Sequence, residues 1–304
     1  MSVSQSNGTN PSSDISALEA KSEKQLVVVI TGSTSGLGFE TARILLKSGH
    51  RVVISGRSSE KVSQAVQSLV SEGIDAARIG SFVADVQHRE QVDQLARYAL
   101  STFGQINVWI NNAGQGITRK VEDLTDEDFD SMMSINCKSV LYGMQAFMRY
   151  VRTTLTEDPA TKKKVSSIPD LAIINVSGTL GRFPIASFRS AYAAAKAAVN
   201  TLTANLRIDV AQEQLPVRVV CYHPGVFATE FGIKALHGGP DSRKLPTVQP
   251  LAEVASILAN LATGKDRRVD VYSREADKER IVRYFAAEDM ASEEKLPTPA
   301  STKN

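Results

Sequence analysis

The chain has 304 residues, of which 42% are hydrophobic and 22% are charged. This composition is typical of a soluble globular protein with a sizeable core and excludes a disordered chain. Its 35 basic and 33 acidic residues leave a formal net charge of +2, too even a balance to indicate nucleic acid or an anionic membrane as a partner.

From residue 25, short β-branched runs alternate with longer amphipathic segments, which predicts repeated βαβ units. The predicted strands lie at 26–30, 51–55, 81–85, 107–111, 171–177 and 217–222, with helical sequence between them. Continuous apolar strands are typical of a parallel sheet that is covered on both faces. The predicted fold is therefore α/β: a doubly wound Rossmann fold with a mostly parallel sheet in a single domain.

Polar segments flank this predicted domain. Residues 1–24 are expected to form a disordered N-terminal tail and residues 287–304 a flexible C-terminal tail, which leaves 25–286 as the Rossmann domain. The polar stretch 153–170, with two prolines and three successive lysines, is interpreted as a surface insertion; a polybasic recognition patch is the alternative. No segment has the apolar length of a signal peptide or a membrane span, so the predicted location is cytoplasmic.

The first predicted strand runs into a glycine-rich turn that opens an amphipathic helix. Gly32, Gly36 and Gly38 have the spacing of a dinucleotide-binding loop in its proper strand-to-helix context. Glycine lets the backbone approach a pyrophosphate closely, and the helix N-terminus offers free N–H groups with a partial positive charge. These features favour a phosphate site over a glycine-serine loop without a ligand.

The second strand ends with Ser55, Gly56 and Arg57, where an NAD-selective protein would have an acidic residue on the ribose 2′-hydroxyl. Arg57 instead offers a fixed cation to the 2′-phosphate of NADP, and the hydroxyls of Ser55 and Ser58 are additional candidate donors. The predicted cofactor is NADP(H). The alternative is that Arg57 only begins the next loop, in which case NAD would be used.

Tyr192 and Lys196 are four residues apart in an alanine-rich helical stretch, so both project from one helix face. A free phenol has a pKa near 10, and lowering it by roughly 3 units requires about 4 kcal/mol of preferential stabilisation of the phenolate. A nearby ammonium and a positively charged nicotinamide ring could supply that stabilisation. The pair is therefore a candidate for proton transfer.

Three further motifs follow predicted strands or lie between them: Asn111-Asn112-Ala113-Gly114, Asn136 within MMSINCKSV, and Pro224-Gly225-Val226-Phe227-Ala228-Thr229. With the glycine loop and the Tyr192–Lys196 pair, this ordered set resembles the classical short-chain dehydrogenase/reductase family. The resemblance covers about residues 26–229, with a looser match at 251–262. It implies that the chain forms a homodimer, as members of this family commonly do.

The resemblance also implies roles for individual residues. Tyr192 would exchange a proton with the substrate oxygen, Lys196 would hold the nicotinamide ribose and lower the pKa of Tyr192, and Asn136 would hold a water of the proton relay. The residues implied in cofactor binding, besides Arg57, Tyr192 and Lys196, are Gly32, Ser35, Gly36, Leu37, Gly38, Asp85, Asn112, Val226 and Thr229.

The sequence departs from the family pattern where the family has two serines after its fifth strand, the second of which polarises the substrate carbonyl. Alignment on Asn175 and Gly181 places Gly178 at the second serine, whereas counting back from Tyr192 places Thr179 there. Ser177 and Thr179 are both candidate hydroxyl donors, and a site without either donor is a third possibility. In a regular strand neither neighbour of Gly178 would face the substrate without a bulge.

The function predicted from these residues is that of an NADP-dependent carbonyl reductase, which reduces a ketone or oxidises a secondary alcohol of a small organic substrate with Tyr192 as proton donor or acceptor. The alternative is a catalytically weak NADP-binding regulatory protein. The two cysteines and four histidines lack ligand spacing, so no metal site is expected. The family's usual last strand is also expected to be missing, because 265–272 leads into a charged helical segment.

Overall fold

The computed structural model describes residues 24–183, 188–245 and 248–279; the predicted N-terminal tail at 1–24, except for Lys24, and the predicted C-terminal tail at 287–304 lie outside the described residues. The strands are β1 (Val27–Ile30), β2 (Arg51–Gly56), β3 (Ile79–Val83), β4 (Val108–Asn111), β5 (Leu155–Glu157), β6 (Lys164–Ser166), β7 (Ala172–Val176), β8 (Arg218–His223) and β9 (Asp270–Tyr272). The helices are α1 (Gly36–Lys47), α2 (Ser59–Ser71), α3 (Arg89–Phe103), α4 (Asp126–Met133), α5 (Ser139–Thr153), α6 (Ser190–Gln212) and α7 (Leu251–Thr263).

Seven strands form one sheet in the order β3-β2-β1-β4-β7-β8-β9, and every neighbouring pair is parallel. In the centre, Val28 of β1 is in register with Val52 of β2 and with Val108 of β4. Successive strands extend outward in opposite directions from β1 and β4, so the topological switch point lies between these two strands. Ligands of doubly wound sheets bind at the carboxyl ends of the strands beside this point. The predicted fold class is confirmed.

Both faces of the sheet are covered by helices, which explains the unbroken apolar strands. One core contains residues of α1, α2 and α7 packed on alternate strand positions such as Ile30 and Ile54. The other core contains residues of α3, α5 and α6 packed on the opposite strand faces, among them Trp109. The central strands β1, β4 and β7 therefore have no side that faces water, as expected for a parallel sheet between two helical layers.

A chain of buried amide hydrogen bonds joins β4, β7 and α6 next to the switch point. Trp109 Nε1 donates to Asn111 Oδ1 at 2.8 Å, and Asn111 Nδ2 donates to Asn175 Oδ1 at 2.8 Å. Asn175 Nδ2 then donates to Thr203 Oγ1 of α6 at 2.9 Å. Because buried polar groups must find partners, these bonds fix α6 relative to the ends of β4 and β7.

Two elements differ from the sequence-based expectation. The surface stretch 153–170 contains an antiparallel hairpin of β5 and β6, in which Thr156 is in register with Val165. The expectation that the last strand is missing is wrong, because β9 pairs in parallel with β8. Within the described residues, no helix combines the length and apolarity needed to cross a bilayer.

Candidate active site

The glycine-rich loop after β1 is packed so closely that side chains would not fit. A Cβ on Gly32 would lie 2.8 Å from Ala113 Cα, and one on Gly38 would lie 2.5 Å from Asn112 Nδ2. Gly32 also has a φ of +65°, in the left-handed region that favours glycine. Glycine is therefore required at positions 32 and 38, because the start of α1 packs directly against the segment after β4.

Asn112 and Thr31 lock these two segments together. Asn112 Nδ2 donates to the carbonyl oxygens of Thr31 and Gly32, both at 3.0 Å, and Thr31 Oγ1 accepts from the backbone N–H groups of Asn112 and Ala113 at 3.0 and 3.1 Å. The sequence predicts that Asn112 lines the cofactor cleft. The structure gives its side chain a further role, because it holds the glycine loop in shape.

The loop is open on the side where a phosphate would enter. At Gly36, with a φ of +57°, a Cβ would come within 4 Å of one described atom only, Thr229 Cγ2 at 3.5 Å. Ser35, the N-cap of α1, is exposed and Leu37 is buried. A side chain at Gly36 would thus meet little of the described protein, and the free N–H groups at the start of α1 are candidates to bind a pyrophosphate.

At the end of β2, Arg57 is exposed and forms no ion pair with any residue that the structure describes. Ser58 is the N-cap of α2, where its Oγ accepts from Lys61 N at 3.3 Å. Ser55 is fully buried and its Oγ has no hydrogen-bond partner among the described residues, so it does not lie at the surface beside Arg57. Of the three candidates for a 2′-phosphate, Arg57 has the most accessible donors.

The loop after β3 contains the candidate adenine contact. Asp85 is half-buried, its N–H donates to Gln91 Oε1 at 2.7 Å, and its Oδ1 accepts from Gln87 N at 3.0 Å. These bonds tie the loop to α3. The second carboxylate oxygen of Asp85 has no partner within the described chain and remains able to accept a hydrogen bond.

Tyr192 and Lys196 lie in the first two turns of α6. Lys196 is 3% exposed, its Nζ donates to Val176 O at 2.8 Å, and this ammonium lies 5.7 Å from the centre of the Tyr192 ring. A Cβ on Gly114 would lie 3.7 Å from Lys196 Nζ and 2.8 Å from Asn136 Oδ1. The structure therefore brings Lys196 and Asn136 together at the backbone of Gly114, with the Tyr192 ring beside Lys196.

Burial acts on the two titrating groups in opposite directions. It raises the pKa of Tyr192 to about 12 and lowers the pKa of Lys196 to about 8, because both charged forms lose hydration. The Arg189 cation acts against burial and lowers the pKa of Tyr192. Without a bound cofactor, burial therefore outweighs the Arg189 charge and holds the pKa of Tyr192 above its ordinary value, opposite to the low phenol pKa expected from the sequence.

The structure places Gly178 opposite the Tyr192 hydroxyl. A Cβ on Gly178 would lie 3.6 Å from Tyr192 Oη, which is an ordinary van der Waals distance. Ser177 Oγ donates instead to the backbone oxygen of Lys196 at 3.2 Å. Thr179 is buried at the start of a 3-10 turn, and its hydroxyl forms no hydrogen bond within the described chain. Of the two candidate donors, only Thr179 has an uncommitted hydroxyl.

Asn136 lies in a π-helical turn, Ser134–Lys138, between α4 and α5. Its Nδ2 donates to Gln115 O at 2.9 Å, and its Oδ1 accepts from Gln115 N at 3.1 Å. Both ends of the amide are thus bound to the segment after β4. π-Helical turns are rare and often occur at functional sites, since they disturb the regular carbonyl pattern.

The segment after Thr229 closes over the site. Thr118 N donates to Leu236 O and Leu236 N donates to Gly116 O, both at 2.9 Å. The Phe231 ring contacts Tyr192 edge to face, with 5.6 Å between ring centres. Val226 O accepts from Gln249 N at 2.9 Å, which fixes the loop that leads to Thr229. This segment therefore supplies an apolar wall beside the phenol.

Sequence reasoning missed Arg189, which lies just before Tyr192. Arg189 is 8% exposed, and Nη1 donates to Ile117 O at 2.9 Å. The only signal in the sequence is an arginine close to the candidate catalytic tyrosine, which does not indicate burial.

Cys221, His223 and Asp270 also come together, which the sequence did not indicate. The side-chain atoms that could bind a metal ion, one from each residue, lie within 4.8 Å of one another, because β9 places Asp270 beside Cys221. His223 Nε2 is 2.7 Å from Asp270 Oδ1, and Arg182 Nη2 donates to Asp270 Oδ2 at 2.9 Å. The Asp270 carboxylate thus already has two side-chain partners, His223 and Arg182. These contacts connect β9 to β8 and to the turn after β7.

Comparison with known proteins agrees with this geometry. The family described as short chain dehydrogenase matches residues 26–237. An uncharacterized oxidoreductase of Staphylococcus aureus (strain MW2) is 31% identical over 227 residues, which are 75% of this chain and 87% of that protein. The uncharacterized oxidoreductase YxnA of Bacillus subtilis (strain 168) is 33% identical over 70% of this chain, which spans about half, 55%, of that longer relative.

Solved structures show the same fold. A short-chain dehydrogenase/reductase from Burkholderia phymatum in complex with NAD has a TM-score of 0.76 at 19% identity, over 92% of this chain and 99% of that one. An alcohol dehydrogenase from Thermococcus sibiricus complexed with 5-hydroxy-NADP has a TM-score of 0.66 at 24% identity, over 82% and 96%. Together, the family match, the relatives and the fold define an oxidoreductase of the Rossmann type. The chain belongs to the short-chain dehydrogenase/reductase family.

Proposed function

We propose that the protein is an NADP(H)-dependent carbonyl reductase that reduces a ketone, or in reverse oxidises a secondary alcohol, with Tyr192 as the proton donor. The observation that carries the proposal is the position of Lys196, buried between the Tyr192 ring and the segment after β4, at the switch point of the sheet. A homodimer and a cytoplasmic location remain predictions from the sequence.

The cofactor would be held by groups that the fold already positions. The N–H groups at the start of α1 would bind the pyrophosphate, Arg57 the 2′-phosphate, Asp85 the adenine ring, and Thr229 the nicotinamide amide. When bound, the nicotinamide supplies the hydride and, in its oxidised form, a positive charge beside the phenol. That charge supports a lower pKa for Tyr192, which burial alone raises.

Tyr192 would donate its hydroxyl proton to the substrate oxygen as the carbonyl carbon is reduced. Lys196, anchored on Val176 O, would orient the cofactor ribose and stabilise the phenolate that remains. The Phe231 ring covers one edge of the phenol and would reduce its contact with water, which strengthens charge interactions there. Thr179 is the described hydroxyl best able to replace the family serine at Gly178.

The test of the proton donor is turnover of a panel of ketones with NADPH by the wild type and by Tyr192→Phe. We expect the variant to lose about 10³-fold or more in kcat while NADPH binding, followed by fluorescence, is unchanged. Tyr142→Phe, on α5, is the matched control and should retain activity. Equal turnover by wild type and Tyr192→Phe would overturn the assignment.

The cofactor preference is tested at Arg57. Arg57→Ala should weaken NADPH binding by about 10- to 100-fold and leave NADH binding nearly unchanged, because only NADPH has the 2′-phosphate. Arg97→Ala, an exposed arginine on α3, is the control. An unchanged ratio of NADPH to NADH affinity would show that Arg57 does not select the cofactor.

A second candidate function is supported by Gly178, which lacks the hydroxyl that the family uses to polarise a carbonyl. Losing such a donor costs about 10²- to 10³-fold in rate. Tight NADPH binding without turnover of any ketone or alcohol in the panel would favour an NADP-binding regulatory protein over a reductase.

A further inference from the structure

Arg189 is a buried cation that the reaction proposed above does not use. Its side chain is 8% exposed, and the hydrogen bond of Nη1 to Ile117 O, at 2.9 Å, engages one of its five N–H donors. The Phe188 ring lies 5.5 Å from its guanidinium carbon. Within the described ranges no carboxylate pairs with Arg189, and burial lowers its pKa.

Two glycines leave the space that the guanidinium fills. A Cβ on Gly116 would lie 2.9 Å from Arg189 Nη1, and a Cβ on Gly239 would lie 2.9 Å from Nη2. These glycines belong to the segment after β4 and to the segment that closes over the site. The guanidinium is therefore enclosed between the segment after β4 and the segment that follows Thr229.

Arg189 and the catalytic tyrosine lie on the same wall. The point at which a Gly116 Cβ would stand is also 3.0 Å from Phe231 Cε1, and the Phe231 ring contacts Tyr192. A cation, an aromatic edge and a phenol thus follow one another along this wall. The Coulombic effect of Arg189 on Tyr192 agrees with this proximity.

The acidic side chain beside this wall is already neutralised. Arg119, which pairs with Arg189 across an isolated β-bridge, places its Nε 3.2 Å from Asp128, and His237 Nε2 lies 2.7 Å from the same carboxylate. A buried guanidinium without a counter-charge is unfavourable unless an anion compensates it. Since no carboxylate of the described chain pairs with Arg189, one negative charge would balance this guanidinium.

We propose that Arg189 binds a carboxylate of the substrate, so that the compound reduced at Tyr192 is a keto acid and the product a hydroxy acid. This inference rests on the reductase function proposed above. A carboxylate matches the planar fork of one guanidinium, whereas a phosphate dianion would leave a charge unbalanced.

Binding of small probes tests the inference without turnover. Benzoate and benzamide have nearly the same shape, and only benzoate is charged; each is titrated calorimetrically into the wild type, with and without NADPH. We expect benzoate to bind at least about tenfold more tightly than benzamide, as charge-assisted hydrogen bonds typically give. Equal affinities, or no measurable benzoate binding, would overturn the proposal.

Variants of Arg189 test whether this residue causes the preference for benzoate over benzamide. Arg189→Gln should reduce benzoate binding to the level of benzamide, Arg189→Lys should keep part of the preference, and Arg97→Gln should keep all of it. Circular dichroism shows whether each variant is folded. If Arg189→Gln does not fold, the proposal is still tested by the benzoate and benzamide affinities of the wild type and of Arg189→Lys. A benzoate preference that survives in a folded Arg189→Gln would overturn the proposal.

Turnover separates this inference from the proposed function. With NADPH, the ratio of kcat/KM for 2-oxo acids to that for their methyl esters should exceed about 10 in the wild type and fall to about 1 in Arg189→Gln. Turnover of esters that depends on Tyr192, without any preference for acids, would overturn the carboxylate site and leave the reductase function intact.

Discussion

Lys196 carries an ammonium into the protein interior, where burial lowers its pKa from 10.5 to about 8. The unfolded chain binds this proton below pH 10.5, whereas the folded protein binds it only below about pH 8. Between these values unfolding takes up a proton, so the Lys196 contribution to the free energy of unfolding rises with pH. The burial cost is fully present below about pH 8 and is relieved above pH 10.5.

Replacing Lys196 with Met should remove this dependence. We expect the free energy of unfolding of the wild type, relative to Lys196→Met, to rise by about 3 kcal/mol from about pH 7.5 to about pH 10.5. Urea unfolding at several pH values measures the difference, and the other titrating groups cancel between the two proteins. Parallel stability curves would show that Lys196 keeps its ordinary pKa.

Gly178 offers a second test at the level of a single residue. A serine there would place its Cβ 3.6 Å from Tyr192 Oη, so in the proposed reaction its hydroxyl would lie near the oxygen that Tyr192 protonates. We expect kcat of Gly178→Ser to exceed that of Gly178→Ala by about 100-fold. The alanine variant controls for the backbone, whose φ of +158° is common to both. Equal rates would mean that another group polarises the carbonyl.

Helix α5 contains Gly143 in its interior, although glycine has a low helix propensity. A Cβ on Gly143 would lie 2.0 Å from Asn111 Oδ1 and 2.5 Å from Trp109 Nε1. Alanine would gain about 1 kcal/mol of helix propensity. It would also overpack the core and break buried hydrogen bonds, each at a cost of about 1 to 3 kcal/mol.

Gly143→Ala is therefore expected to lower the free energy of unfolding by about 2 kcal/mol or more, as measured by urea titration. Adding Asn111→Ala removes the nearest obstacle, so the double variant should lose less stability than the sum of the two single changes. Strict additivity would mean that α5 accommodates the methyl group by moving.

The strands that could be predicted from the sequence are those whose hydrophobic pattern is set by burial in the core. Strands such as β1 and β4 are continuous apolar runs, because both of their faces meet helices. The β5–β6 hairpin and β9 were not predicted, since each strand has three residues and part of each is polar and exposed. Their pairing depends on neighbouring strands rather than on their own composition.

In the candidate site, too, residues with a local sequence pattern could be predicted, whereas those that depend on tertiary packing could not. The glycine loop, Tyr192 and Lys196 have local spacing that the sequence shows directly. The enclosure of Arg189 was not predictable, because it depends on Gly116 and Gly239, which the fold brings to the guanidinium from two distant segments. The orientation of Ser177 likewise depends on packing, since its hydroxyl bonds to the backbone of α6, which is remote in the chain.

At the scale of the molecule, β9 forms one edge of the sheet and supports the loop that leads from β8 to Thr229. Ser273, just after β9, accepts from Gly225 N at 2.9 Å, and Arg207 Nη2 of α6 donates to Val269 O at 2.8 Å. A chain that ends at residue 264 would lose these bonds and expose the edge of β8, an apolar strand prone to intermolecular pairing.

We expect the chain that ends at 264 to aggregate on size-exclusion chromatography and to lose NADPH binding. The chain that ends at 286, which lacks only the predicted tail at 287–304, is the control and should behave as the full-length protein does. A monodisperse chain ending at 264 with intact NADPH binding would show that β9 is dispensable.

The strand order also affects how the chain folds during synthesis. β1 lies beside β2, which follows it closely, but its other neighbour is β4, which comes after β3 and α3 in the chain. Until β4 leaves the ribosome, the Val27–Ile30 edge has unpaired N–H and C=O groups on an apolar strand. Parallel pairing of strands that are far apart in the chain is slow, so we expect the nascent first half of this protein to expose an aggregation-prone edge until β4 is made.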